Sequence, residues 1–132
     1  MDKNKIIGIL EDNDLSDIEE IEYKNGIFVL RFFYDFDKAE MDAAKAFAND
    51  ESDEEEASEV WNEEYFIPYL MDLAIDNVGE SVEEVMEEVN ISAQYMSYDL
   101  TDEDTESCEF IAIFYNEDNE VEIETVLDEL KL

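Results

Sequence analysis

The chain has no histidine, one cysteine, one arginine and three glycines among its 132 residues. Without an imidazole base, a serine or cysteine nucleophile lacks its usual activating partner, which excludes the common hydrolytic triads. The glycines at positions 8, 26 and 79 form no glycine-rich phosphate loop. Carboxylate pairs are so numerous that none stands out as an acid and base pair. We therefore expect a protein that is not an enzyme and needs no cofactor.

The single cysteine, Cys108, excludes an intramolecular disulfide, and its place in an apolar run favours a small buried residue over a reactive thiol. The apolar residues 6–10 are too few for the core of a signal peptide. No run approaches the roughly 18 apolar residues that span a membrane. These features predict a cytoplasmic protein without a membrane partner.

Positive charge is scarce as well, because 7 Lys and Arg stand against 41 Asp and Glu, for a net charge of −34. So few cations disfavour direct binding to nucleic acid and attraction to anionic membranes. A partner attracted by this charge must itself be basic.

The sequence nevertheless contains enough apolar material to fold. Leu, Ile, Val and Phe account for 37 of the 132 residues, about 28%, against under about 20% in disordered chains. Spread over a folded surface of roughly 7,000 Å², the net charges lie about 14 Å apart, beyond the Debye length of about 8 Å in physiological salt. We expect a single domain over residues 1–132 that folds and loses stability as salt is removed.

Strand patterns occur in four places. Ile21 and Tyr23 alternate with polar residues before Asn25-Gly26, the strongest short signal for a hairpin turn. The partner strand, residues 27–36, is apolar on both faces, which is typical of a central strand. Residues 91–99 and 108–115 are predicted as two further strands.

Helix patterns occupy most of the rest. A capping motif at residues 37–40 predicts a helix to residue 49, and a second helix is expected from near Ser58. Pro68 should kink that helix or begin a fresh one, and Gly79 is expected to end it. Residues 3–10 fit either a helix or an edge strand, and residues 120–124 are expected to form a short strand before a closing helix. The order predicts an α+β fold, an antiparallel sheet of about four strands with helices packed over it.

Residues 80–89 are divided into an apolar and an acidic side. Ser81 has the form of a helix cap, and the four apolar residues Val82, Val85, Met86 and Val89 fall on one stripe at 100° per residue. The opposite side carries five carboxylates, which we call the acidic ridge: Glu80, Glu83, Glu84, Glu87 and Glu88. These span about 12 Å of helix, roughly one per 2.4 Å, which approaches the one charge per about 1.7 Å of duplex DNA.

A second acidic segment, here called the acidic loop, has six carboxylates in seven residues: Asp50, Glu51, Asp53, Glu54, Glu55 and Glu56. Taken alone, such a run is most often a solvated loop between helices. If it lies near the acidic ridge, the two segments form one candidate surface for a basic partner.

Other residues have simpler interpretations. Residues 12–14 and 102–104 begin like calcium loops, but neither continues with the turn glycine and closing glutamate, so no metal site is expected. Arg31 is predicted either to form a structural ion pair or to cover the sheet with its stem while its charged head reaches water, and Trp61 is predicted to lie in the core because of its helical spacing.

In charge pattern and size the chain is similar to the small phage and mobile-element proteins called DNA mimics, which include anti-restriction and anti-CRISPR inhibitors. This resemblance implies an inhibitor that occupies the basic groove of a nucleic-acid-binding protein. An immunity protein that neutralises a basic nuclease toxin would be equally acidic, with a narrower patch. A salt-adapted protein, or an acidic bacterial protein of unrelated role that is charged for solubility, is a further alternative.

Overall fold

A computed structural model of the chain describes residues 1–24, 26–101 and 103–132. It contains one antiparallel sheet of four strands, β1 (Leu15–Ile21), β2 (Ile27–Asp35), β3 (Ser92–Ser97) and β4 (Ser107–Tyr115). The order across the sheet is β1-β2-β4-β3, so β2 is an inner strand, as its two apolar faces predict. The helices are α1 (Lys3–Asp12), α2 (Lys38–Glu51), α3 (Ile67–Val89) and α4 (Ile123–Leu130). The predicted α+β fold is confirmed.

Helices cover both faces of the sheet. On one face, Phe28, Leu30 and Phe32 of β2 meet Phe110 and Phe114 of β4 beneath α1 and α3. The opposite face has its own buried cluster under α4, formed by Val29, Ile111, Ile113, Tyr115 and Val126. Because both faces are buried, the strands that supply them are apolar on both sides rather than alternating with polar residues.

A third cluster joins α2 to the segment that follows it. Ala44 and Ala48 of α2 pack against Trp61, Phe66 and Leu70. The indole Nε1 of Trp61 donates a hydrogen bond to the side-chain oxygen of Asn49 at 2.9 Å. The predicted core position of Trp61 is confirmed, since its side chain is 2% exposed.

The segment before α3 is a π-helix, Trp61–Phe66. Helical structure starts just before the π-helix, at residue 59 and so next to the predicted Ser58, and Asn62 N donates to Ser58 O at 2.9 Å. Ile67 N donates to Asn62 O, five residues earlier. Pro68 has no N–H to donate, so no backbone hydrogen bond is lost at the residue where the pattern changes from π to α. The backbone stays helical through Phe66 and Ile67, so the structure shows a change of hydrogen-bonding pattern next to Pro68 and no break between two helices.

Two expectations for α3 are wrong. Gly79 does not end a helix and Ser81 does not begin one, because α3 continues unbroken through both residues to Val89. The Ser81 hydroxyl donates to the carbonyl of Asn77 at 3.2 Å, one turn earlier in the same helix. Gly79 is instead the place where Tyr95 of β3 lies against α3.

The strand expected at residues 120–124 is also absent. A 3-10 turn, Glu117–Asn119, precedes this region, residues 120–122 have no regular structure, and α4 begins at Ile123. The side chain of Gln94 binds the backbone here, accepting from Ile123 N at 2.9 Å and donating to Val121 O at 2.6 Å. An amide side chain thus satisfies backbone groups that a strand would pair with a neighbour.

Three shorter segments, α1, β3 and the turn before β2, were also predicted from the sequence. Residues 3–10 form a helix, with the Asp2 side chain accepting from Lys5 N at 3.0 Å. β3 is shorter than the predicted 91–99. Strands β1 and β2 pair antiparallel, as the predicted hairpin requires, and Gly26 of the turn has φ +87°. Asn25 of the predicted turn lies outside the described residues, and so does Asp102 of the second calcium-like run. Among the described residues, no helix combines the length and apolar character needed to cross a membrane.

Candidate protein-interaction surface

The acidic ridge occupies the outer face of α3. All five of its glutamates are exposed. Val82, Val85, Met86 and Val89 face the opposite way and pack in the core between α3 and the sheet. The predicted division of this helix into an apolar and an acidic side is therefore present, on a helix anchored along its length by buried residues.

The ridge is longer than the sequence predicted. Because α3 does not stop at Gly79, Asp72 and Asp76 lie on the same helix, eight and four residues before Glu80, and both are exposed. A spacing of four residues keeps them on the same side of the helix as Glu80. We call the acidic ridge together with Asp72 and Asp76 the extended ridge. The i, i+4, i+8 spacing of residues 72, 76 and 80 was the signal that could have found it.

The extended ridge has a high average charge density along the helix. Its seven carboxylates fall within 17 residues of continuous helix, a length of about 24 Å at 1.5 Å per residue. That is roughly one carboxylate per 3.4 Å, the spacing of phosphates along one strand of B-DNA. The helix therefore presents negative charge at the linear density of a single nucleic-acid strand.

The acidic loop begins with the last two residues of α2, Asp50 and Glu51, and continues as the turn to the π-helix; its six carboxylates are all exposed. Its two ends are fixed to the fold. Ser52 is buried, and its hydroxyl donates to Ala48 O at 2.6 Å. The hydrogen bond between Trp61 and Asn49 ties the start of the π-helix to the end of α2. The loop is thus the tip of a helical hairpin.

The acidic loop and the acidic ridge do not lie side by side. The loop precedes the π-helix, whereas the ridge occupies the C-terminal half of α3, 13 residues or about 20 Å beyond Ile67. The exposed Glu63, Glu64, Asp72 and Asp76 lie between them along the helix. The two segments are therefore separate candidate surfaces, with further exposed carboxylates in the chain between them.

Within the described residues, the carboxylates of both segments lack a cationic partner in the molecule. The four ion pairs found there are Lys3–Glu20, Lys24–Glu129, Arg31–Glu109 and Lys38–Asp42, and none uses the extended ridge or the acidic loop. Lys5 comes near the ridge, but its Nζ donates to the backbone carbonyl of Glu88 at 3.3 Å. The charge of the extended ridge is therefore available to an outside cation.

Two other residues that the sequence singled out have structural roles. Arg31 Nε lies 3.0 Å from Glu109 Oε2, which confirms the predicted ion pair. Cys108 is fully buried, and burial raises the pKa of its thiol to about 11, so it is unreactive at neutral pH.

An acidic cleft of about 430 Å³ opens between α1, the end of β2 and the helices α2 and α3. At its wall the Tyr34 hydroxyl donates to Glu40 and accepts from Asn77 Nδ2 at 2.7 Å. Burial, followed by the bond to Glu40, raises the pKa of Tyr34 to about 12.

In the part of the chain that the structure describes, no group of three or more acidic or cysteine side chains is arranged to hold a metal ion.

Comparison with protein-family models, with curated proteins and with solved structures finds no match to this chain.

Proposed function

We propose that this protein imitates the charge of a nucleic-acid strand and inhibits a nucleic-acid-binding protein by occupying its basic groove. The extended ridge is the surface that makes this contact, and no chemical reaction is involved. The partner is a basic protein of the class that includes restriction, CRISPR and other nucleic-acid enzymes.

The observation that carries this proposal is the phosphate-like charge density of the extended ridge on a rigid helix. Seven exposed carboxylates, on average one per about 3.4 Å of helix, give the ridge the linear charge density to which a groove lined by lysines and arginines is adapted. Since α3 is held by the buried Val78, Val82 and Val85, the row is ordered before binding. Less conformational entropy is then lost on association than with a flexible acidic tail.

The mechanism is competition. Carboxylates pair with the lysines and arginines of the groove, counterions leave both surfaces, and nucleic acid is excluded as long as the groove is filled. Binding of this kind weakens steeply as salt rises.

The test is capture by the immobilised protein followed by elution with salt. A lysate or a panel of purified nucleic-acid enzymes is passed over the wild type and over a ridge variant with Glu83, Glu84, Glu87 and Glu88 changed to Gln. A loop variant with Asp53→Asn, Glu54→Gln, Glu55→Gln and Glu56→Gln is the matched control, because it removes the same charge from other exposed positions. We expect a nucleic-acid-binding protein to be retained by the wild type, to elute at lower salt from the ridge variant, and to be blocked from DNA or RNA.

Several results would contradict this proposal. If the ridge variant and the loop variant lose affinity equally, only net charge matters and the ridge has no special role. If neither loses affinity, both acidic segments are solvated surfaces. If the retained partner is a nuclease toxin whose active site alone is covered, the immunity alternative is the correct one.

A further inference from the structure

The two edges of the sheet differ in charge. The β1 edge carries Asp17, Glu19 and Glu20, and its pairing with β2 is interrupted by a register shift between Ser16 and Glu19. Charges and bulges of this kind prevent a further strand from adding to an edge. The β3 edge has the sequence Ser-Ala-Gln-Tyr-Met-Ser, with no charge, no proline and an uninterrupted register with β4.

The hydrogen-bond pattern shows which backbone groups of β3 point outward. Tyr98 N donates to Glu109 O at 2.9 Å, so these two residues form a hydrogen-bonded pair. In the same register Met96 lies opposite Ile111 and Gln94 lies opposite Ile113, and these are the next hydrogen-bonded pairs of the ladder. Because bonded pairs alternate along an antiparallel ladder, the N–H and C=O groups of Ala93, Tyr95 and Ser97 face away from β4. Within the described residues, no backbone or side-chain hydrogen bond uses these groups.

Helix α3 borders this edge on one side. A Cβ atom at Gly79 would lie 2.6 Å from the Tyr95 hydroxyl, so the Tyr95 side chain reaches the flank of the helix at Gly79. Asp76 and Glu83 lie three residues before and four residues after Gly79, on the same side of α3. Their charges, after burial, raise the pKa of Tyr95. A strand added beside β3 would therefore have carboxylates of the extended ridge along one of its faces.

We propose that the β3 edge accepts an extended basic segment of the partner as a fifth strand of the sheet. Its backbone pairs with Ala93, Tyr95 and Ser97, and alternate lysine or arginine side chains point toward Asp76 and Glu83. Backbone hydrogen bonds supply affinity in this mode of recognition, and side chains at alternate positions supply specificity. The inference depends on the proposed function for the partner's positive charge, and it adds how that partner is held.

A second copy of the chain fits this edge poorly. Each copy has a net charge of −34, and pairing two β3 edges would bring two extended ridges together. Mutual repulsion therefore protects the uncharged edge from self-association, while a basic segment is attracted to it. Charge on the neighbouring helix replaces the charged residues that edge strands ordinarily carry themselves.

The experiment uses a short synthetic peptide in which lysine alternates with valine. A second peptide of the same sequence is N-methylated at alternate residues, on the edge that would face β3, so that it keeps its charge but lacks those N–H donors. On the protein, Ala93→Pro removes an outward N–H from the edge, where proline is tolerated. The ridge variant described above tests the electrostatic contribution separately.

We expect the unmodified peptide to bind the wild type, and the N-methylated peptide or the Ala93→Pro variant to weaken binding at least about tenfold. Amide hydrogen exchange on the wild type gives a readout that does not require a variant: Tyr95 and Ser97 should gain protection on adding peptide. Gln94 and Met96, already bonded to β4, should change little.

The strand-addition inference is overturned if the two peptides bind equally, if Tyr95 and Ser97 gain no protection, or if the unmodified peptide does not bind. The proposed function is judged separately, by whether the ridge variant releases the captured partner at lower salt. A partner that depends on the ridge and leaves the β3 amides unprotected would support the mimicry and refute the added strand.

Discussion

The hydroxyl group of Tyr95 lies against the backbone of Gly79, so closely that a Cβ atom at position 79 would be 2.6 Å from it. This contact joins the edge strand β3 to the middle of α3. It explains why a glycine is present inside a 23-residue helix, where glycine ordinarily costs about 1 kcal/mol relative to alanine. The residue is needed for the close approach of a side chain from another element.

The first prediction is a double-mutant cycle at this contact. In a Tyr95→Phe background, Gly79→Ala should raise the free energy of unfolding by about 1 kcal/mol, because the helix gains alanine and the obstructing hydroxyl is gone. In the wild-type background the clash should cancel or reverse that gain, which gives a coupling energy of about 1 kcal/mol or more. Chemical denaturation of the four proteins measures both values.

Gly8 provides the control for this cycle. It lies in α1, where an added Cβ atom would have no neighbour within 4 Å, so Gly8→Ala should stabilise the protein equally whether residue 95 is Tyr or Phe. Equal effects of Gly79→Ala in the two backgrounds would show that the hydroxyl contact is not the reason for the glycine.

The same contact marks the boundary of what the sequence could predict. Periodicity and turn signals identified β2, β3 and β4, the central position of β2 and the acidic face of α3, because these follow from local patterns. The first strand was misplaced, since the alternation at Ile21 and Tyr23 overlaps β1 only at Ile21. The interpretation of Gly79 as a helix end failed because its cause is a tyrosine 16 residues away. That error also hid Asp72 and Asp76, which belong to the ridge only if the helix is continuous.

The C-terminal region shows a related limit. Alternating residues at 120–124 match a strand, but Gln94 binds the backbone of Val121 and Ile123 and no strand forms. Likewise, the distance between the acidic loop and the acidic ridge depends on how α2 folds back on the π-helix. Composition contains no information on that arrangement.

The second prediction concerns the hydrogen bond from Trp61 to Asn49. Asn49→Ala should lower the free energy of unfolding by about 1–3 kcal/mol, since it leaves a buried indole N–H without an acceptor. Asn49→Asp keeps an acceptor oxygen at nearly the same place and should lose much less. Because Trp61 is the single tryptophan, its fluorescence reports the unfolding directly. Equal losses in the two variants would show that the hydrogen bond contributes little.

The third prediction is a loss of stability in alkaline solution that depends on Tyr34. Its pKa is raised from 10.0 to about 12 in the folded protein, so the neutral phenol is favoured by folding. This contribution is complete below pH 10 and is lost as the pH rises from about 10 through 12. Between these limits the wild type should lose about 1–2 kcal/mol more than Tyr34→Phe, a figure reduced from two full pKa units because the side chain is partly exposed.

Denaturation at a series of pH values measures this difference. Other groups with raised pKa values, such as Tyr98 and Cys108, titrate in both proteins and cancel in the comparison. Parallel pH profiles for the wild type and Tyr34→Phe would mean that burial and the bond to Glu40 do not favour the neutral phenol.

The fourth prediction is that added salt stabilises the fold, because it screens the repulsion between the protein's negative charges. The 34 net charges share 7928 Å² of accessible surface, about 230 Å² each, which corresponds to a spacing of about 15 Å. Charges at this spacing repel across a Debye length of about 30 Å in 0.01 M salt and are screened at about 8 Å in 0.15 M. The melting temperature should therefore rise over this range, and rise less for the ridge variant, whose four neutralised side chains lie closer together than the average.

The identity of the salt separates screening from specific binding. Sodium and potassium chloride should act alike, because screening depends on ionic strength alone. Magnesium chloride should show at most a modest excess at equal ionic strength, since carboxylates on one helix face attract a divalent ion without enclosing it. Saturable stabilisation by micromolar magnesium or calcium would instead indicate a bound cation that neutralises part of the acidic surface, and the charge offered to a basic groove would be smaller than the extended ridge implies.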